Sequence, residues 1–219
     1  MNYFRIVTTD EPELWSGALR QIGEFDFYHT PQYHRLAEMR GEGKAYLLAL
    51  QSGERSVALP LLVREIDAIG FSNLGVRLKD ATSVYGYAGP VSTPELPEAT
   101  AEDFFQRLQA FCDDQSIVSV FSRLHPIIDQ TRILAGQGEI AQIGHTVSID
   151  LAADSHTQTS FYRSGHRYQI NQLKKKGMVC EELGPEHLNE VVSIYTNTME
   201  RVRAEDEYFF DRSYFAYLM

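Results

Sequence analysis

The period of apolar and polar positions changes several times along the chain. Residues 3–8 read as a short first strand. Leu14, Trp15, Ala18, Leu19 and Ile22 then recur at helical spacing behind Asp10 and Glu13, a pair that predicts an acidic cap. Gly23 is placed to end that helix. Thr30 followed by Pro31 predicts a second helix start, with Tyr33, Leu36 and Ala37 on its apolar face and Gly41 as its stop. Residues 45–51 and 56–65 predict a strand pair around a Ser52-Gly53 turn. Residues 66–83, punctuated by Gly70 and Gly75, predict a loop or a weak strand pair. Residues 83–90 read SVYGYAGP. On an extended chain Tyr85 and Tyr87 share one face, and the glycines beside them leave room for a ligand or another backbone. A bulged strand with packed tyrosines is the alternative.

Pro94 and Pro97 predict a surface connection. Thr100 with Asp103 predicts the cap of a helix whose inner face is Phe104, Leu108, Phe111 and Cys112. Residues 117–124 predict a buried strand closed by His125-Pro126, and residues 141–151, with Ile143, Val147 and Ile149, a half-buried one. Helices and strands in this alternation predict a mixed α/β layered architecture with a central sheet flanked by helices. A helix is then expected from Thr159 or Ser160, with Tyr162, His166, Ile170 and Leu173 as its apolar stripe and Gly177 as its end. Gly165 costs about 1 kcal/mol relative to alanine there, so His166 is the alternative start. Residues 178–183 predict a strand. Pro185 opens a helix with Leu188, Val191, Val192, Tyr195, Met199 and Val202 inward, and YFFDRSYFAYLM gives a second short one after the polar break at 203–207. Strand, helix, helix repeats the opening of the chain. A unit that stops at this point cannot bury its apolar face alone, so the expectation is a chain that is incomplete or completed by a partner.

Charge adds one feature to this picture. Residues 161–177 hold Arg163, Arg167, Lys174, Lys175 and Lys176 and no acid, in a chain of formal charge −10, so the rest sums to −15. A basic island in an acidic chain suggests an anion site or an acidic partner. At 100° per residue Arg163, Arg167, Asn171 and Lys174 fall within a quarter of the helix surface. The helix dipole favours the lysines near Gly177 but disfavours cations at the other end. The dipole therefore accounts for the lysines and not for Arg163 and Arg167.

Composition narrows the classes. At 43% hydrophobic, with 12 Phe and 12 Tyr, the chain can build a sizeable core. No apolar run approaches the ~20 residues of a membrane span, and the N-terminus carries no apolar leader. The two cysteines, Cys112 and Cys180, make no metal or redox motif and read as reduced. These features suggest a soluble, cytoplasmic protein. A sequence pI near 5.1 argues against general DNA binding, which rests on neutralising phosphates.

No G-x-S-x-G, H-E-x-x-H, phosphate-binding loop or dinucleotide fingerprint occurs, and the seven histidines are scattered without ligand spacing. The residues alone reach an anion-binding α/β domain with an aromatic pocket; catalytic residues and metal ligands are not assigned. Beyond that, SGHRYQINQLKKKG followed by a new strand and helix resembles the inter-domain helix of the FemAB family, with Ser164, Arg167-Tyr168-Gln169-Ile170, Lys174 to Lys176 and Gly177-Met178 in order. FYHTPQYHRLAE resembles that family's early helix, VYGYAGPV its Tyr-Gly-x-Gly-Pro strand and YFFDRSYF the second helix of its second domain. The likeness covers most of the chain and is nearest to uncharacterised bacterial members.

The resemblance implies tandem acetyltransferase-like (GNAT) domains: a first at 1–152, the linking basic helix at 153–177, and the opening of a second at 178–219. It implies acyl transfer to an amine acceptor, either a small molecule or a muropeptide-like precursor of peptidoglycan in the cell envelope. The donor it implies is an aminoacyl-tRNA or an acyl-CoA, with no bound cofactor. It makes Arg167 the contact to the acceptor's diphosphate, Tyr85 and Tyr87 the lining of its pocket, and Arg163, Asn171 and Lys174 neighbouring substrate contacts. By the same likeness the second domain lacks the strands that face the donor, and this chain by itself is expected to be an inactive fragment. The alternative function is a non-catalytic module whose basic helix docks an acidic partner or RNA.

Overall fold

The computed structural model describes residues 2–66 and 77–219, and of Glu207 the backbone alone. The Gly70 and Gly75 part of the predicted loop lies outside the described residues. The chain divides into two units, Met1–Gln142 and Ile143–Met219.

In the first unit β1 (Asn2–Thr8), β2 (Lys44–Ser52), β3 (Arg55–Glu65), β4 (Lys79–Thr82), β5 (Val91–Ser92) and β6 (Ile117–Phe121) form one sheet. Its order is β1-β2-β3-β4-β6, with β5 also on β3. All pairs are antiparallel except β4 with β6, which run parallel. The hairpin of β2 and β3 turns on Gly53-Glu54, since Ser52 pairs with Arg55. Pro60 has no N–H to give. It sits where, among the described residues, the outer edge of β3 has no partner, between the pairings at Val57–Ala58 and Leu62–Glu65.

The two apolar runs are continuous because both faces of the sheet are covered. Ala45, Leu47, Ala49, Ala58 and Leu62 face α1 (Pro12–Ile22) and α2 (Pro31–Met39), packing with Trp15, Leu19 and Ile22. Leu48, Leu50, Val57, Leu59, Leu61 and Val63 face α3 (Glu98–Gln115), packing with Phe104, Leu108 and Phe111. The period of two divides one strand between two cores. This is the mixed α/β sheet flanked by helices that the pattern predicts.

Several local expectations change. Asp10 does not cap α1, whose N-cap Glu11 makes no side-chain capping bond. Asp10 pairs instead with Arg35 and Lys44, on α2 and β2. Thr100 does not cap α3, which starts at Glu98 behind Pro97; Thr100 is buried and Asp103 accepts from Arg107 and Asn2. The strand at 117–124 stops at Phe121 and is buried only at Ile117. Among the described residues it pairs with β4 alone, and Val118, Val120 and Phe121 are exposed.

In the second unit Asp154 caps α4 (Ser155–Ser160), accepting from the N–H groups of His156 and Thr157 at 2.9 and 3.0 Å. Then come α5 (Ser164–Lys175), α6 (Leu188–Val202) and α7 (Arg212–Leu218). The basic helix therefore starts at Ser164, neither at Thr159 or Ser160 nor at His166. Tyr195 ties α6 to the last segment: its ring stacks on Phe210 at 5.6 Å and its hydroxyl donates to the Tyr208 carbonyl. Asp211 caps α7 by accepting from Tyr214 N–H at 2.9 Å. Leu188 is this unit's buried hydrophobic residue among those described. The strands predicted at 141–151 and 178–183 are irregular here, with Ile143, Val147, Met178 and Val179 open to solvent. Alternation makes a strand possible; a partner ladder makes it stable, and among the described residues neither segment has one.

Candidate binding site

The parallel pair positions the site. After Thr82 and Phe121 the chain leaves β4 and β6 side by side. Ser83 N–H donates to Phe121 O at 3.0 Å, and Arg123 N–H donates to Ser83 Oγ at 3.1 Å. The loops that follow carry Tyr85 and Tyr87 on one side and Arg123 and His125 on the other. Loops at the carboxyl ends of parallel strands are where open α/β sheets bind ligands.

A second wall comes from the corner before α2. Thr30 caps this helix, accepting from Tyr33 N–H and donating to Phe27 O at 2.6 Å. The corner presents Phe27, Tyr28 and Tyr33 as a cluster with ring separations of 4.0, 5.2 and 5.5 Å. Tyr33 hydroxyl donates to the Tyr85 carbonyl at 3.1 Å, and Tyr28 meets Tyr87 edge-on at 5.8 Å. Tyr87 is half-buried against His125, whereas Tyr85 and Phe27 are 55% and 53% exposed.

The two tyrosines are not side by side on a strand. Gly86 between them has φ +124°, which breaks the extended geometry. The space beside the glycines is not empty either. A Cβ on Gly86 would sit 2.3 Å from the Tyr28 ring, and one on Gly89 would sit 2.2 Å from Gln130 Oε1. Close approach by neighbouring side chains, not ligand space, is what these glycines permit.

Beneath the rings lies a polar knot. Asp26 Oδ2 accepts from His125 Nε2 at 2.9 Å, and His125 Nδ1 accepts from the N–H groups of Ile127 and Ile128 at 3.1 and 3.0 Å. His29 Nε2 donates to Gly89 O at 3.1 Å, Asp26 N–H donates to His29 Nδ1, and Trp15 Nε1 donates to His29 O at 2.8 Å. Each ring nitrogen of His29 and His125 is thus used in the neutral form. Burial holds His29 below its ordinary pKa, against the pull of its bonds with Asp26 and Gly89. His34 is fully buried; burial lowers it to about 4, although Thr30 O accepts from its Nδ1.

Of the seven histidines that look scattered in sequence, His29, His34 and His125 therefore serve as parts of one scaffold. Sequence reasoning misses Asp26, Phe27, Tyr28, Arg123, His125 and Gln130 as one group. The local signal is the Asp26-x-x-His29 capping box; the rest depends on contacts about a hundred residues apart.

Tyr85 and Tyr87 lie on one loop of the first unit, and Arg163, Arg167, Asn171 and Lys174 on the α5 segment of the second. On α5, Arg167, Asn171 and Lys174 share a face and are exposed, and Arg163 is the N-cap residue with extended backbone. No residue of α5 is buried, and Ile170 is half-buried. Among the described residues no group of three or more His, Cys, Asp or Glu could hold a metal, and no helix is long and apolar enough to cross a membrane.

No family model matches the chain, and no curated protein matches it. Among solved structures it is similar to a ribosomal-protein-alanine N-acetyltransferase from Brucella melitensis biovar Abortus 2308. The identity is 13%, over 68% of this chain and 98% of that one, with a TM-score of 0.39. It is also similar to a protein described as a probable acetyltransferase, at 10% identity over 69% of this chain and 99% of the other, with a TM-score of 0.33. The activity in each description is that protein's own.

Proposed function

We propose that this chain serves acyl transfer to an amine acceptor, as a GNAT-type protein of the FemAB kind. The observation that carries the reading is the parallel β4–β6 pair in an otherwise antiparallel sheet, with exposed aromatic rings at its carboxyl end. The order of FemAB-like segments along the sequence supports it. In this reading the acceptor is a muropeptide-like or other cell-envelope precursor and the donor is an aminoacyl-tRNA or acyl-CoA. The acceptor amine attacks the activated carbonyl, the donor's ester or thioester bond breaks, and the amine proton leaves with the departing group or water.

Such a reaction is accelerated chiefly by positioning and by donors aimed at the oxyanion. Tyr85 and Tyr87 offer ring faces to the acceptor. In the second unit, taken by itself, Arg167, with Arg163, Asn171 and Lys174, offers an anion contact whose guanidinium fork suits the paired oxygens of a diphosphate. His125 does not serve as the base, because its Nδ1 lone pair already takes two backbone N–H groups and its Nε2 proton goes to Asp26. The test is transfer of a labelled acyl group to a nucleotide-linked muropeptide, with Arg167→Glu beside the wild type. Loss of acceptor binding supports the reading, and unchanged affinity overturns it.

One observation favours the second reading, a docking module. Helix α5 leaves its basic face exposed and buries no residue. Salt-sensitive capture of a single-stranded RNA that weakens in Arg163→Glu and Lys174→Glu, without acyl transfer, would select it.

A further inference from the structure

Beyond that reading, we propose that Arg123 is an oxyanion contact in the first unit, binding a carboxylate or phosphate of a ligand that lies against the Tyr85 ring. Its guanidinium stands 5.9 Å from the centroid of that ring. A guanidinium held over an aromatic face keeps its N–H donors directed outward in its own plane, in the fork that matches two oxygens.

The root of the side chain is fixed. Arg123 N–H is bound to Ser83 Oγ, and the preceding residues are held to β4, so the cation is presented from a strand end. The backbone that carries its partner ring is held as well, because the Tyr85 carbonyl accepts from the Tyr33 hydroxyl. Arg123 is exposed, and among the described residues no carboxylate pairs with it. Arg35, Arg40, Arg55, Arg64, Arg77 and Arg107 of the same unit each have an acidic partner in an ion pair, whereas Arg5, Arg20 and Arg132 have none among the described residues; what sets Arg123 apart is its place at the carboxyl end of the parallel pair. An unpaired cation beside a half-exposed ring, at the carboxyl end of two parallel strands, has the parts of an anion subsite.

The test uses the full chain labelled with 15N, titrated with inorganic phosphate and, separately, with acetate. The readout is the backbone amide shifts of Tyr85, Gly86 and residue 123. Saturable shifts are expected in the wild type and in a control, Arg20→Gln, at an exposed position in the last turn of α1. In Arg123→Gln the apparent affinity should fall roughly tenfold or more, the loss of a charge-assisted contact. Arg123→Lys keeps the charge but not the fork and should fall between them. Response to phosphate alone, to acetate alone or to both assigns the source of the oxyanion and supports the contact. Shifts that are absent, do not saturate, or persist unchanged in Arg123→Gln overturn it. Saturable shifts in a protein without acyl transfer would leave this contact standing and remove the reaction proposed above.

Discussion

At Gly86 the backbone has φ +124° and the Tyr28 ring occupies the place of a side chain. Gly86→Ala therefore meets both a disfavoured conformation and a steric block, and should lower stability by roughly 2–4 kcal/mol. Gly53 offers the contrast: φ +60° with nothing within 4 Å of a Cβ. Gly53→Ala should cost only about 1 kcal/mol. Urea denaturation of the two variants separates the effects, and equal losses would show that the Tyr28 packing is unimportant. His34 sets a pH dependence. Its pKa is about 4 when folded, because of burial, against 6.5 when unfolded. The unfolded chain takes up the proton first as pH falls, so this residue's share of stability is complete above pH 6.5 and shrinks toward pH 4. The loss by pH 4 is about 3 kcal/mol. His34→Gln, which does not titrate, should show a flatter decline from pH 6.5 to 4 in the same measurement. A slope equal to the wild type's would assign the decline to other groups.

Elements whose signals are local were legible in the sequence, and those that depend on a neighbour were not. Thr30-Pro31 marks the start of α2 because cap and first turn lie within four residues. The face of α3 follows from Phe104, Leu108, Phe111 and Cys112 at helical spacing, all of them buried. The exposed edge at β6 could not be read, since Ile117, Val118 and Val120 look alike whether or not a further strand covers them. For the same reason the alternation at 141–151 predicts a strand that finds no ladder among the described residues. The candidate site divides the same way: Tyr85 and Tyr87 stand out as a motif, while Arg123 and the Asp26–His125 contact are set by topology. The cap at α2 also holds the aromatic corner in place, through its bonds to Tyr33 N–H and Phe27 O. Thr30→Ala should cost about 1 kcal/mol. It should also move the Tyr33 and Tyr85 resonances together, because Tyr33 carries the hydroxyl bound to Tyr85 O.

The two units differ in what they bury. Both core clusters, on the two faces of the sheet, lie wholly within Met1–Gln142. In Ile143–Met219 the buried hydrophobic residue is Leu188, and the remaining order comes from helix caps and the aromatic contacts around Tyr195. Burial of apolar area supplies most of the free energy that opposes chain entropy. Short helices without a packed face are marginal in water. The first unit should therefore fold by itself and the second should not. A fragment ending at Gln142 is expected to melt cooperatively, at nearly the temperature of the whole chain's main transition. The fragment from Ile143 should show partial helical circular dichroism that declines gradually with heating and no protected amides in hydrogen exchange. A sharp transition in the second fragment would mean that the helices after Asp154 hold a core of their own. A first fragment that fails to fold would mean that the sheet depends on the segment after residue 142.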